Sequence, residues 1–244
     1  MADEEISARD QPLGASSATT GSGNASLQAT RIFLRPIANP FALGMLGLAG
    51  DTVMLAGREL GWIPAGQKTQ VALMILIFAP VLQLIACVFG FLGRDPIAAT
   101  GMGVLAGTWA IIGMVHLLSP AGSRSVALAT FLFLAASAVG LSATAGMKTK
   151  VVPGLVMLMT GIRWFTTGLY EVLGGADLKM AAGIVGLLLA AVAIYGAFAV
   201  ELENLEHRQV LPVLRRGRGK YALSPLLVPQ VEEIAAEPGV RNQL

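Results

Sequence analysis

Between Pro40 and Val200 the chain carries six apolar stretches, each about as long as the roughly 20 residues a helix needs to cross a bilayer. They fall near residues 40 to 57, 69 to 92, 96 to 118, 125 to 146, 151 to 173 and 178 to 200, and charges lie almost entirely between them. The pattern predicts an all-α polytopic membrane protein with six transmembrane helices in one bundle. Composition agrees: 55% hydrophobic residues, 13% charged and a mean hydropathy of +0.69 leave too few charges to cover a soluble globule of 244 residues.

Three regions follow. Residues 1–35 are rich in Ser, Ala, Thr and Gly, have no period and read as a disordered cytoplasmic tail, in which the sequon Asn24-Ala25-Ser26 carries no weight. Residues 36–212 form the membrane domain. Residues 213–244 read as a second cytoplasmic tail, first basic (Arg215, Arg216, Arg218, Lys220) and then acidic, with the basic cluster suited to anionic lipid. The N-terminus is acidic and no apolar run follows before Phe33, so the first membrane helix is expected to direct insertion without a cleavable signal. The net charge of +2 is not gathered on one face, which argues against nucleic-acid binding. Cys87 is the single cysteine, so an intrachain disulfide and a cysteine-based metal site are both excluded.

Lys and Arg near the ends of the stretches set the orientation. Ten of them (Arg31, Arg35, Arg94, Lys148, Lys150, Arg208, Arg215, Arg216, Arg218, Lys220) fall on one side, and four (Arg58, Lys68, Arg124, Lys179) on the other. This places both termini in the cytoplasm. Six spans divided three and three make the second half inverted relative to the first, an arrangement common among transporters. Small residues at Ala99, Gly103 and Gly107, and at Ala182, Gly186 and Ala190, permit close helix crossings.

Ionisable residues inside the stretches cannot be explained by solubility. The fifth stretch carries Thr160, Arg163, Thr167, Tyr170 and Glu171 on one face, away from Leu155, Met159, Ile162 and Phe165. An arginine near mid-bilayer costs about 2.5–3.5 kcal/mol on insertion scales, so a counter-charge or a wet cavity should meet it. Asp51 is the natural candidate: it lies about 16 Å beyond Pro40, and Arg163 about 15 Å beyond Pro153, on helices running the same way. Two readings stand. The pair either locks the first helix to the fifth, or Arg163 offers its charge to a small carboxylate in transit while protonation of Asp51 frees it. Glu171 reads as a charge of the outer vestibule or as an interfacial residue, Gln83 after Pro80 as a packing hydrogen bond at a kink, and His116 as an interfacial histidine.

The first helix opens with Asn39-Pro40-Phe41-Ala42-Leu43-Gly44-Met45-Leu46-Gly47. Asn39 is a strong N-cap, Pro40 sits where a helix tolerates a missing amide, and the glycines leave one side bare. The string resembles the Asn-Pro-x-Pro-Leu-Gly signature of the acetate uptake transporter family, which includes acetate/succinate proton symporters. The resemblance covers about residues 36–212 and is supported by Trp109, Tyr195 and the closing Val210-Leu211-Pro212. Ala42 replaces the second proline of the signature, and Arg94-Asp95-Pro96-Ile97 replaces a polar start to the third helix. The resemblance implies a homo-oligomer, a hexamer, in which each protomer has its own pore. Apolar side chains of helices 1, 3 and 5 would narrow that pore, with Leu48 and Leu105 standing where the family has aromatic residues.

His116 and His207 are the only histidines and lie on opposite sides of this topology, and no nucleophile with a base, phosphate loop or metal-ligand spacing is present. No enzyme, metal or cofactor is expected. The function expected is a transporter or channel in a bacterial plasma membrane for small monocarboxylates such as acetate, with proton coupling as a further expectation. The competing class is a non-transporting membrane scaffold or sensor subunit. A continuous polar lumen lined by Arg163 would favour transport, and a dry core with the pair sealed would favour the scaffold.

Overall fold

A computed structural model describes residues 37–217 and 219–220. The tail at 1–35 with Arg31, Arg35 and the Asn24 sequon, as well as Arg218 and residues 221–244, lie outside the described residues. Among those described, six long helices follow one another: α1 (Phe41–Glu59), α2 (Lys68–Leu92), α3 (Pro96–Leu118), α4 (Val126–Gly146), α5 (Val151–Leu173) and α6 (Ala176–Glu206). A single 3-10 turn, Ala65–Gln67, leads into α2.

Local chemistry sets most of the helix ends. The Asn39 Oδ1 accepts the Phe41 N–H at 3.1 Å where α1 begins. Asp95 caps α3 by accepting the Ala98 N–H at 3.2 Å, with Pro96 in the first turn. Ser125 caps α4 through the Leu128 N–H at 3.1 Å. Between α5 and α6 the chain turns on Gly174 and Gly175, at φ of 75° and 95°, a region that side chains rarely adopt. Two ends fall beyond the sequence expectation. The first helix continues to Glu59, so Arg58 and Glu59 are helical, and the last runs to Glu206 and carries Glu203 into the packed interior.

Short connections force neighbours to run antiparallel. Each helix packs on the next in sequence, and α6 returns to pack along α1, so the six close into a ring. Four spans qualify by length and composition alone: α2 with its preceding turn, α3, α4 and α6, with mean hydropathies of 2.7, 1.7, 2.1 and 2.3. The more polar helices are α1, with Asp51, Arg58 and Glu59, and α5, with Arg163 and Glu171. Ile77, Phe78, Val81, Leu84 and Val88 of α2 point outward as a lipid-type surface, while Ile75, Ala79, Gln83 and Ala86 are buried against the ring. At the α2 and α3 crossing, a Cβ on Gly113 would stand 2.7 Å from the Leu76 backbone nitrogen, so that approach requires glycine.

Candidate functional site

Among the described residues a cavity stands at each end of the ring. One, about 100 Å³ and called outer after the expected topology, lies among the C-terminal ends of α1, α3 and α5 and the N-terminal ends of the other helices; Arg58, Glu59, His116, Tyr170 and Lys179 are on its wall. The inner one, about 60 Å³, lies among the opposite ends, with Asn39, Met102, Lys150, Met157 and Arg215 on its wall. On α1 the inner cavity reaches Met45 and the outer begins at Leu55; on α5 the corresponding limits are Met157 and Thr167. About 15 Å of helix therefore separates them.

That interval is sealed. Leu48 and Leu105 are fully buried, as are Trp109 and Trp164, whose rings meet edge to face with centroids 6.5 Å apart. Neither indole N–H has a hydrogen-bond partner among the described residues, nor does the Thr52 hydroxyl. The interval is thus tightly packed, with a few buried polar atoms whose hydrogen-bonding capacity is unused among the described residues.

The expected pairing of Asp51 with Arg163 is corrected. Asp51 faces α2, where its Oδ2 accepts the Ala79 N–H at 3.2 Å beside the helix-interior Pro80. Equal depth was insufficient, because the ring seats α1 between α2 and α6 and turns Asp51 away from α5. Arg163 instead donates from Nη2 to Glu59 Oε2 at 2.6 Å and from Nη1 to Thr167 Oγ1 at 2.6 Å. Both partners of the ion pair are nearly sealed, at 1% and 7% side-chain exposure, so they act as a lock rather than as open charges. The helix-contact glycine Gly186 makes room for this lock: a Cβ there would come within 2.9 Å of the Arg163 Nε.

The remaining members of the α5 stripe divide. The hydroxyl of Thr160 is spent on the Val156 carbonyl of its own helix at 2.8 Å. Thr167 and Tyr170 reach the outer cavity. Glu171 reaches it too, but its Oε2 accepts the Ser125 N–H at 2.7 Å and so fastens the end of α5 to the start of α4. Asp51, Thr160 and Arg163 line neither cavity. In the opening motif, Asn39 lines the inner cavity, Pro40 precedes the first helical residue, Leu43 is half-buried, and the Gly44 carbonyl accepts from Gln83 Nε2 at 3.4 Å. A Cβ on Gly44 would stand 2.5 Å from the Met102 sulfur, which explains the bare side of α1.

Sequence reasoning missed Arg58 and Glu59. The signal was present as an adjacent base and acid, seven and eight residues past Asp51 and about five helical turns after Pro40, read there as the start of a loop.

No family model matches the chain. It is 23% identical to an uncharacterized protein of Methanothermobacter thermautotrophicus over 186 residues, which make up 72% of this chain and 90% of that one. Among solved structures it is similar to the bacterial acetate channel SatP, with a TM-score of 0.65 and 22% identity over 73% of this chain and 99% of that one. The likeness establishes the fold: an integral membrane bundle of six helices.

Proposed function

We propose that the chain is a channel or transporter for small monocarboxylates such as acetate. The observation that carries this reading is the pair of cavities at opposite ends of a closed helical ring. Its likeness in fold to an acetate channel supports the substrate class. Thr167, Tyr170 and Glu171 belong to the outer approach, Asn39 to the inner mouth, and Leu48 and Leu105 to the constriction. An apolar constriction raises the barrier mainly to charged or strongly hydrated solutes, because they lose their water there. The proposal extends to cytoplasmic termini, a plasma-membrane location, homo-oligomeric assembly and coupling to protons.

Uptake of labelled acetate into proteoliposomes, with and without a proton gradient, tests it. Uptake above that of protein-free liposomes is the expected result, and a gradient that accelerates it supports coupling. A second reading, a scaffold or sensor subunit, draws on the sealed Glu59 and Arg163 pair and the closed neck. Protein-free background flux under both conditions would favour that reading.

A further inference from the structure

Basic side chains stand on and just behind the wall of the outer cavity, and their hydrogen bonds distinguish them. Arg163 has given both terminal nitrogens to Glu59 and Thr167. Lys68 donates its ammonium to the Ser119 carbonyl. The acids are committed as well: Glu59 holds Arg163, and Glu171 holds the Ser125 N–H. Arg58 differs. It lies on the wall of the cavity, one residue before Glu59, and its Nη1 is shut off from solvent without an acceptor among the described residues.

We propose that Arg58 is the docking group for a small monocarboxylate in the outer cavity, receiving the carboxylate on its guanidinium with the Tyr170 hydroxyl and Lys179 as neighbours on the same wall. This rests on the transport reading given above and assigns its point of capture. A guanidinium matches a carboxylate with two parallel N–H donors, a geometry that a half-buried arginine with an unpartnered Nη1 can offer without breaking an internal bond. The cavity wall carries three basic side chains, Arg58, Lys68 and Lys179, against two acidic ones, Glu59 and Glu171. Arg163 neutralises Glu59 from behind, so the field at Arg58 favours an anion. Size sets the class of ligand. A cavity of about 100 Å³ compares with roughly 10–15 Å³ for one water on this measure, enough for an acid of a few heavy atoms and too small for a long acyl chain.

The test is acetate binding to the purified full-length protein in lipid nanodiscs, measured by saturation-transfer NMR on the acetate methyl signal and competed with formate. Arg58→Gln should weaken binding at least tenfold, and Arg58→Lys should weaken it less, because it keeps the charge and loses the fork. Arg208→Gln, at the opposite end of the molecule, should bind like the unaltered chain. Unfolding temperatures show whether each variant is folded; if Arg58→Gln is not, Arg58→Lys carries the test, and acetate affinity equal to that of the unaltered chain overturns the assignment. So does undiminished binding by a folded Arg58→Gln, or an unaltered chain that binds no acetate at all. Binding lost with Arg58 in a protein that gives only background flux would leave the docking site standing and remove the transport reading instead.

Discussion

The two mouths of the ring are built from similar residues and use them differently. At the inner mouth, basic side chains close on acids from other elements: Lys150 meets Asp95 at 3.0 Å, and Arg215 pairs with Glu203. Backbone bonds reinforce them, since Val151 and Val152 donate to the Leu214 and Val213 carbonyls at 3.3 Å and Arg216 donates to the Thr149 carbonyl at 2.8 Å. The segment after α6 is thereby fastened across the start of α5. At the outer mouth the Glu59 and Arg163 lock is just as closed, yet Arg58 beside it leaves a terminal nitrogen, Nη1, unpaired on the cavity wall among the described residues. The unpaired Nε at the inner mouth belongs instead to Arg215, whose terminal nitrogens already go to Glu203 and the Gly219 carbonyl. The difference teaches that charge beside a cavity is a poor guide to ligand contact until internal partners have been assigned.

The neck sets the two mouths apart, and opening it should have the largest effect. Changing Leu48 and Leu105 together to Ala should cost about 2–5 kcal/mol at each site. If these side chains line the constriction, the succinate-to-acetate flux ratio should also rise as the neck wets. A lower melting temperature with a flat ratio would remove both leucines from the pore and leave the mouths unconnected.

Breaking the outer lock comes next. Arg163→Leu leaves Glu59 buried and uncompensated, an expected loss of about 3–5 kcal/mol in unfolding measurements. Combining Glu59→Gln with Arg163→Gln should cost less than the two single changes added together. Asp51→Asn combined with Arg163→Gln should be additive within about 0.5 kcal/mol, since those residues share no contact. Coupling in the second cycle would restore the Asp51 pairing that the ring geometry rejects.

The inner fastening divides. Arg215→Ala strands Glu203 in a pair exposed only 8% and 7% and should cost about 3–5 kcal/mol, with faster amide exchange at Val151 and Val152 as the mark of a loosened segment. Lys150→Ala should cost least, about 0.2–1 kcal/mol, because the pair is partly exposed at 25% and 32%. A loss at Lys150 as large as that at Arg163 would erase the contrast between a buried lock and a surface clasp.

The sequence by itself determined the helices, their order and the depth of each polar group. Those properties are local: apolar length, the Asn39, Asp95 and Ser125 caps, and a fixed rise per residue. It also marked Arg163 as needing a partner, because an arginine in the apolar interior cannot stand alone. Its partner was a tertiary decision. Depth along a helix is written in residue number, whereas the direction in which a side chain faces depends on which neighbours flank the helix. Only closure of the ring, with α1 between α2 and α6, turned Asp51 onto Ala79 and brought Glu59 to Arg163. The same closure made Arg58, two turns beyond Asp51, a wall of the outer cavity rather than the start of a loop.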